Sequence, residues 1–357
     1  MKTKKLSEIS DIQYGYAFDS HYFTNDNKYP QLVRIRDIKR GFSETYYLGK
    51  YDEDYVVHYG DLLIGMDGNF NISRWKSEDA LLNQRVCKIA AKQDIIDEEY
   101  LQYALSRRLK HIEEKTAFVT VKHLSAKTLS NLKLEVPSQV EQIKIAQIIS
   151  KISKAINTKK DELRKLDELI KARFVEMFGD PISNNKSLSL KEFREICDLK
   201  AGDFTPAKQI FKVQDPINQY PCYGGNGIRG FVSNYTHDGK YVLIGRQGAL
   251  CGNVKLASGK FKNTEHAILV NPKIPINVFW LFELLDLEKL NRFKSGAAQP
   301  GLAVKTLNKI LIPNVDLECQ NEFANFVQQV DKSKVAVQKS LEETQTLFDS
   351  LMQKYFG

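Results

Sequence analysis

The chain contains the same unit of about 180 residues twice, and this internal repeat limits its architecture more than any other feature. The pattern Leu-x-x-Lys-Thr-Leu at 124–129 recurs at 302–307, 178 positions later. Upstream, "LIGMDG" at 63–68 parallels "LIGRQG" at 243–248, and Asn83 parallels Asn263, both at an offset of 180. A repeat of this length indicates a duplicated domain rather than a solenoid of short units.

The first part of each unit mixes strand and helix signals. "QLVRIRDI" at 31–38 alternates apolar and basic side chains and predicts a strand, and "YVLIG" at 241–245 predicts a buried one. "EEYLQYALSRRLKHIEE" at 98–114 and "NVFWLFELLDLEKLNRF" at 277–293 have the spacing of amphipathic helices. These signals predict an α+β fold for this part of each unit.

The second part of each unit has the pattern of one long helix. Ser138 with Glu141 three residues later forms a capping-box signal directly after Pro137. Gly179, followed by Asp180-Pro181, predicts the end of this helix. The chain therefore divides into an α+β domain at 1–137, a helix at 138–180, a second α+β domain at 181–315 and a C-terminal helix at 316–357.

Apolar side chains recur in steps of four and three through both helices, which is the heptad pattern of a coiled coil. We expect the two helices, each roughly 60 Å long at about 1.5 Å per residue, to pack antiparallel and to separate the two α+β domains. Two helices in one ordinary core are the alternative, but the strict heptad disfavours it. The seam is predicted to contain Ile145, Ile149, Ile152, Ile156, Leu163, Leu166, Ile170, Val327, Val330, Val337, Leu341, Phe348 and Leu351.

The stretch "YGGNGIRGF" at 223–231 contains a literal G-x-G-x-x-G, the fingerprint of a dinucleotide-binding turn. Such a site needs a helix after the glycines and an acidic residue about 20 positions further on. The residues that follow instead carry a turn signal at Asp238-Gly239 and a β-rich run, with no acid near 250. We therefore interpret the glycines as a turn cluster, with Asn226-Gly227 as a hairpin pair.

The sequence carries no recognisable catalytic constellation. It has no Walker A motif, no H-E-x-x-H and no Asn-Pro-Pro-aromatic stretch, and its six histidines are dispersed. Five scattered cysteines without C-x-x-C predict reduced thiols, and the N-terminal region lacks the apolar core of a signal peptide. No apolar run reaches the length of a membrane span. We expect a cytoplasmic protein without membrane or metal, and one that binds or positions a partner rather than an enzyme.

Positive charge is concentrated in one part of the chain. The formal net charge is +8, and the segment 181–315 alone has eighteen Lys or Arg against ten Asp or Glu. The segment 1–137 is nearly balanced, with twenty-one basic and twenty acidic residues. A basic domain favours a polyanionic partner, most simply nucleic acid, although solubility alone is an alternative explanation.

The repeat resembles the specificity subunits of type I restriction–modification enzymes. The resemblance lies in the paired helix entries, "LKLEVPSQVEQIKIAQIIS" at 132–150 and "ILIPNVDLECQNEFANFV" at 310–327, and in the helix tail "LIKARFVEMFGDP" at 169–181. It extends to "YPCYGGNGIRGF" at 220–231 with "DGKYVLIGRQGALCGNV" after it. "TAFVTVKHL" at 116–124 departs from the repeat, because it lacks the Gly-rich, Gln-Pro character of "GAAQPGL" at 296–302.

The resemblance implies a function without catalysis in this chain. Each α+β part would be a target-recognition domain that reads one half of a split, asymmetric site in double-stranded DNA, and the helices would set the gap. Two DNA adenine methyltransferase subunits would dock on the chain, and an ATP-dependent restriction and translocase subunit would join them. S-adenosylmethionine, ATP and Mg²⁺ would belong to these partners. Phe174 and Phe178 are expected on the outer helix face that docks the methyltransferases.

Candidate DNA-contacting residues follow from the side chains that read bases. Arginine pairs with guanine, and asparagine or glutamine pairs with adenine. Arg229 and Arg246 are the preferred candidates, because glycines beside them allow close approach of the backbone. Asn83 and Asn263 recur at equivalent positions and are expected to be structural. The full set of candidates is Arg34, Arg36, Lys39, Arg40, Arg74, Gln84, Arg85, Asn226, Arg229, Arg246, Gln247 and Lys262.

A different class of function stays open at this point. The chain could be a coiled-coil scaffold that binds other proteins and has incidental basic charge. A stand-alone nuclease is disfavoured, because the sequence shows no acidic cluster for a metal.

Overall fold

The computed structural model describes residues 2–115, 122–248, 250–296 and 301–357. The chain forms two compact units, Met1–Thr158 with Ser340–Gly357, and Lys159–Lys339. We call them unit 1 and unit 2. Most of the departing run "TAFVTVKHL" and of its counterpart "GAAQPGL" lies outside the described residues.

Unit 1 combines short strands with helices of very different lengths, and its last helix continues into unit 2. Its elements are β1 (Lys2–Lys5), α1 (Leu6–Ile9), β2 (Ser10–Tyr14), β3 (Phe23–Thr24), β4 (Gln31–Val33), β5 (Tyr46–Tyr47), β6 (Val56–Val57), β7 (Leu62–Gly65), β8 (Ile72–Arg74), β9 (Ala80–Leu82), β10 (Val86–Ala91), α2 (Glu98–Lys115), α3 (Ala126–Ser130), β11 (Lys133–Val136) and α4 (Gln139–Phe178).

Unit 2 repeats this plan, and its last helix ends in unit 1. Its elements are β12 (Leu190–Glu192), α5 (Phe193–Ile196), β13 (Cys197–Ala201), β14 (Tyr220–Gly224), β15 (Gly227–Val232), β16 (His237–Asp238), β17 (Tyr241–Gly245), β18 (Val254–Ala257), β19 (Lys260–Asn263), β20 (Ala267–Pro272), α6 (Val278–Leu287), α7 (Val304–Leu307), β21 (Leu311–Pro313) and α8 (Leu317–Phe356).

The sheets of the two units have the same connectivity. In unit 1 an antiparallel sheet runs β2-β10-β7-β8, and in unit 2 the equivalent order is β13-β20-β17-β18. Each unit also has a two-stranded sheet, formed by β1 and β11 in unit 1 and by β12 and β21 in unit 2. A further sheet in each unit contains one parallel pair, β4 with β9 and β14 with β19. The predicted α+β class and its duplication are thus confirmed at the level of topology.

The strand predicted over 31–38 is wrong beyond Val33. β4 ends there, and residues Ile35–Asp37 form a short 3₁₀ helix. The cause is local, because the Asp37 carboxylate accepts a hydrogen bond of 3.0 Å from the backbone N–H of Arg34. A carboxylate that bonds the backbone in this way stabilises a turn in competition with the sheet ladder.

The helix predicted over 277–293 is shorter than its pattern. α6 ends at Leu287, and residues Leu290–Phe293 continue as a 3₁₀ helix. Between them, Lys289 has a left-handed backbone with φ of 49°, which interrupts the α-helical hydrogen bonds. Residues 98–115, by contrast, form one continuous helix, α2.

The long helices begin where the sequence predicts, and a buried glutamine anchors each start. The Ser138 Oγ accepts a hydrogen bond from the backbone N–H of Glu141 at 3.4 Å. In unit 1 the Gln142 side chain accepts from the N–H of Asp97 at 2.7 Å. In unit 2 its repeat partner Gln320 accepts from the N–H of Asn277 at 2.8 Å. Each glutamine therefore fixes the start of a long helix to the start of α2 or α6.

Side chains at the predicted seam positions are buried or half-buried in each unit. In unit 1, Ile145 and Ile149 of α4 share a core with Met352 and Phe356 of α8. In unit 2, Lys334 Nζ lies 2.7 Å from Asp167 Oδ1. The start of α4 thus contacts the end of α8, and a later residue of α4 contacts an earlier residue of α8, as in an antiparallel pair. Within the described part of the chain, none of the helices is long and apolar enough to cross a membrane.

Phe174 and Phe178 do not lie on an outer docking face, and that prediction is wrong. They are 1% and 5% exposed, and their rings contact Trp280 of α6 and Phe323 of α8. The centroids of Phe174 and Phe323 are 5.3 Å apart in an edge-to-face arrangement. Both phenylalanines therefore belong to the core that joins the helices to the α+β part of unit 2.

One carboxyl group is buried at this same junction. Glu283 of α6 is 6% exposed, and its Oε1 has no hydrogen-bond partner among the described residues. Burial raises the pKa of Glu283 to about 7; Lys171 opposes the shift and Asp286 adds to it. Lys171 and Asp286 themselves form an ion pair of 2.8 Å.

This carboxyl group predicts a pH dependence of stability. The unfolded group releases its proton near pH 4.5, whereas the folded one keeps it until about pH 7. Its stabilising contribution is therefore complete below pH 4.5 and is lost as the pH rises through 7. Glu283→Gln should raise the free energy of unfolding at pH 8 by roughly 3 kcal/mol and change it little at pH 4. Urea unfolding at both pH values measures this, with the exposed Glu162→Gln as control. A gain of equal size at both pH values would contradict it.

Candidate functional site

The glycine-rich stretch forms one wall of an open groove in unit 2. β14 and β15 make a hairpin in which Gly224 pairs with Gly227, so the two loop residues are Gly225 and Asn226. The predicted Asn226-Gly227 pair is thus wrong by one position. Gly227 has φ of 102°, a value strained for residues with a side chain, and it begins β15. The groove has a volume of about 580 Å³ and is lined by Gly224, Gly225, Asn226, Gly227, Ile228, Arg229, Gln247, Gly248, Leu250 and His266.

The groove brings three of the candidate DNA-contacting residues together. Arg229 is exposed on β15, and its guanidinium has no hydrogen-bond or ion-pair partner in the part of the chain that the structure describes. Asn226 is also exposed and accepts a hydrogen bond of 2.8 Å from the Asn253 side chain. Gln247 lines the same groove. Together these three side chains give the groove hydrogen-bond donors and acceptors and the positive charge of Arg229.

Two further candidates of unit 2 lie beside the groove rather than in its lining. Lys262 is half-buried on β19, opposite Cys222 of β14. Burial raises the pKa of the Cys222 thiol, while the positive charges of Lys262 and Arg229 act against this rise. Arg246 is half-buried, and its backbone bonds to His266 and Leu302. Cationic side chains therefore lie beside the groove as well as in its lining.

The Gln247 side chain is held by a histidine. The Nδ1–H of His266 donates to the Gln247 Oε1 at 2.9 Å. The other ring nitrogen of His266 lies 3.1 Å from the Glu265 carboxylate. The pattern "LIGRQG" identifies Gln247 in the sequence, but His266 was not among the predicted residues. The only sequence signal for His266 was its position directly before the buried strand β20.

The basic candidates at 34–40 surround one buried carboxylate. Asp37 is fully buried, with Arg36 Nε at 3.8 Å and Arg40 at 3.6 Å from its Oδ1. Arg40 also pairs with Glu44 at 2.9 Å, so much of its charge is engaged inside the protein. Arg34 and Lys39 are exposed. Of this cluster, Arg34, Arg36 and Lys39 keep the most accessible charge.

The other candidates of unit 1 differ in how their side chains are used. Arg74 donates to the Gly60 carbonyl at 3.0 Å and pairs with Glu98 at 3.2 Å, which are structural contacts. Gln84 is exposed. Arg85 is 54% exposed, with its Nε 3.3 Å from the Asp67 carboxylate. The Arg85 side chain is therefore accessible, and its contact with Asp67 orients the guanidinium group.

Asn83 and Asn263 are buried, in agreement with a structural role. Their exposed fractions are 8% and 2%. The Asn263 side chain donates to the Ala267 carbonyl at 2.9 Å and lies 3.1 Å from the His237 ring nitrogen. Asn83 directly follows β9 and Asn263 ends β19, the equivalent strands of the two parallel pairs. Both side chains are therefore used inside the protein.

The described residues contain no group of three His, Cys, Asp or Glu side chains placed to hold a metal ion. Burial raises the pKa of the Cys87 and Cys197 thiols to about 12, so both stay protonated near neutral pH. A protonated thiol is a poor nucleophile and a poor metal ligand. All five cysteines are free thiols, of which Cys87, Cys197, Cys222 and Cys251 are buried and Cys319 is exposed.

Comparison with known proteins places this chain in one family. The family described as "Type I restriction modification DNA specificity domain" matches residues 1–168 and 185–344, one match in each copy of the repeat. The type I restriction enzyme EcoBI specificity subunit of Escherichia coli is 39% identical over 166 residues, which are 46% of this chain and 35% of that protein. The EcoprrI specificity subunit of the same species is 45% identical over 128 residues, 35% of this chain and 32% of that protein. The chain thus spans about a third of the length of these two relatives.

A longer match and a solved structure extend the similarity over both units. The MjaVIII specificity subunit of Methanocaldococcus jannaschii is 23% identical over 319 residues, 78% of this chain and 74% of that protein. The crystal structure of a type I restriction–modification system S subunit from M. genitalium has a TM-score of 0.62 at 18% identity, covering 100% of this chain and 96% of that one. That likeness supports the fold. With family matches in both copies of the repeat, the chain belongs to the type I restriction–modification DNA specificity domain family.

Proposed function

We propose that this chain is the subunit that selects the DNA target of a type I restriction–modification complex, with one half-site read by each unit. The observation that carries the proposal is the duplication itself. Two units share sheet topology and buried anchors, yet they present different polar side chains from equivalent loops. A protein that reads two unlike sequences needs one repeated scaffold and two different reading surfaces.

The groove of unit 2 supports the DNA-binding part of the proposal. It combines an exposed arginine with amide side chains, and unit 2 carries most of the chain's net positive charge. Lysine and arginine would position the domain on phosphates, and amide and guanidinium groups would read base edges. Arg229, which has no partner among the described residues, is free for either contact.

The partners and cofactors of the complex are part of the proposal. Two DNA adenine methyltransferase subunits and an ATP-dependent restriction and translocase subunit would supply the catalysis in the cytoplasm. S-adenosylmethionine, ATP and Mg²⁺ would bind to these subunits, and this chain would hold none of them. The antiparallel helices would fix the gap between the half-sites, because each helix has residues in both units.

Salt dependence tests the proposal against a protein-binding scaffold. The chain in complex with its methyltransferase partner should bind duplex DNA containing its target. The affinity should fall steeply between about 50 and 200 mM salt, because phosphate contacts release counterions. Fluorescence anisotropy with a labelled duplex measures the affinity and its dependence on salt. DNA binding that is absent at low salt, in a complex with demonstrated assembly, would contradict the proposal and favour the scaffold.

A further inference from the structure

One loop position is held by the same pattern of backbone hydrogen bonds in both units, and we call this pattern the shared frame. In unit 1 the N–H of Met66 donates to the Arg85 carbonyl at 2.8 Å, and the N–H of Leu124 donates to the Met66 carbonyl at 2.7 Å. These bonds fix the residue that follows, Asp67, between two other segments of the chain. An isolated bridge pairs Asp67 with His123.

Unit 2 repeats these bonds with different residues. The N–H of Arg246 donates to the His266 carbonyl at 2.9 Å, and the N–H of Leu302 donates to the Arg246 carbonyl at 2.8 Å. The residue that follows, Gln247, forms the equivalent bridge with Gly301. Asp67 and Gln247 therefore occupy one position of the duplicated scaffold, and Arg85 and His266 occupy another.

The frame is common to both units, but its polar side chains differ. In unit 1, Asp67 lies 3.3 Å from Arg85 and 2.5 Å from His123. In unit 2, an amide, Gln247, bonds to His266, and the third position is a glycine. The residues "LIG" at 63–65 recur at 243–245, whereas the next residue changes from Met66 to Arg246. One backbone frame that carries different polar groups in the two units is what two readers of unlike sequences require.

We propose that this shared frame reads one base pair in each half-site, Arg85 a G·C pair and Gln247 an A·T pair. This inference rests on the proposed function. Asp67 and His266 are positioning residues, since each holds the reading side chain. The chemistry follows the bidentate pairs of arginine with the O6 and N7 of guanine and of glutamine with the N6 and N7 of adenine.

The geometry at Arg85 favours recognition of guanine. The Asp67 carboxylate contacts the Nε of Arg85, whose side chain is 54% exposed. The Nδ1 of His123 lies 3.5 Å from the Arg85 Nη1, but it donates its proton to Asp67 at 2.5 Å and so has no lone pair to accept from arginine. The Nη1 and Nη2 groups therefore keep their donors for a ligand.

The backbone conformation of Arg85 also favours a binding role. Its φ is 72°, an unfavourable conformation for a residue with a side chain. A glycine would adopt this conformation without strain. Backbone strain of this kind clusters at binding and active sites, which fits a binding role of the Arg85 side chain.

The geometry at Gln247 favours recognition of adenine. The bond from His266 engages one lone pair of the Gln247 Oε1 and fixes the amide plane. The second lone pair and the NH₂ group then form an acceptor beside a donor, the pattern that the adenine edge complements. Gln247 is exposed and lines the open groove, where a base edge has access.

Substitution at Arg85 tests the first half of the inference. Arg85→Gly should retain the fold, because glycine tolerates the positive φ, and should reduce discrimination at one G·C pair by roughly 10- to 100-fold. Arg85→Gln should shift the preference at that pair toward A·T, a change that misfolding cannot produce. The readout is the methylated motif of cells that carry the chain with its methyltransferase, together with the thermal unfolding midpoint of each purified complex.

Substitution at Gln247 tests the second half. Gln247→Ala should relax one A·T pair of the other half-site, and His266→Ala should relax the same pair more weakly. The exposed Gln93→Ala serves as the matched control and should leave both half-sites intact. A wild-type motif that stays unchanged in Arg85→Gly and Gln247→Ala would overturn this inference alone. A wild-type chain that directs no bipartite methylation would overturn the proposed function instead.

Discussion

Inserting four residues into each long helix, after Thr158 and after Lys339, should lengthen the gap between the half-sites by about one or two base pairs and leave both half-site sequences unchanged. These positions are where the two units divide. Four residues add about 6 Å and a net rotation of about 40°. One base pair of DNA adds about 3.4 Å, with roughly 35° of twist. The methylated motif of the variant complex, mapped by sequencing, measures the gap.

Insertion into one helix only is the control for this prediction. Four residues in α4 alone would shift its apolar seam against α8 and remove contacts such as that between Lys334 and Asp167. We expect this variant to lose stability and methylation together. If the paired insertion changed a half-site sequence, or left the gap as it is, the helices would not set the spacing.

Phe174→Ala should remove a large part of the stability of unit 2. The ring is 1% exposed and contacts the aromatic rings of Phe178, Trp280 and Phe323. Removing a buried phenylalanine leaves a cavity and costs about 3–5 kcal/mol of unfolding free energy. Urea unfolding of the purified chain measures this loss.

The neighbouring Val175 provides a matched control on the same turn of α4. Its side chain is 38% exposed, so Val175→Ala should change the unfolding free energy by less than about 0.5 kcal/mol. Equal losses for the two variants would mean that Phe174 does not hold the helices to the α+β part of unit 2.

The repeat made much of the fold predictable. Matching "LIGMDG" with "LIGRQG" indicated equivalent strands, and β7 and β17 occupy equivalent places in their sheets. The heptad steps indicated the long helices, because a stripe of apolar residues must be buried wherever it lies on a helix. Gln142 and Gln320 lie 178 positions apart, the offset of the repeat, but their role as anchors depends on α2 and α6 lying beside them.

The candidate site was less predictable, because its geometry depends on residues far apart in the chain. Periodicity alone did not show that Phe174 and Phe178 face the core of unit 2. Asp37 ended a strand that alternation had predicted to continue. The pairing of Gln247 with His266 joins residues 19 positions apart, through a turn whose path no local pattern specifies.

The methylated sequence itself tests the central claim most directly. Cells carrying this chain with its methyltransferase partner, and no other adenine methyltransferase, would be sequenced for N6-methyladenine. We predict one asymmetric motif made of two specific half-sites with a gap of fixed length. A single uninterrupted motif, or methylation with no motif from a demonstrably active complex, would contradict the claim that each unit reads one half-site.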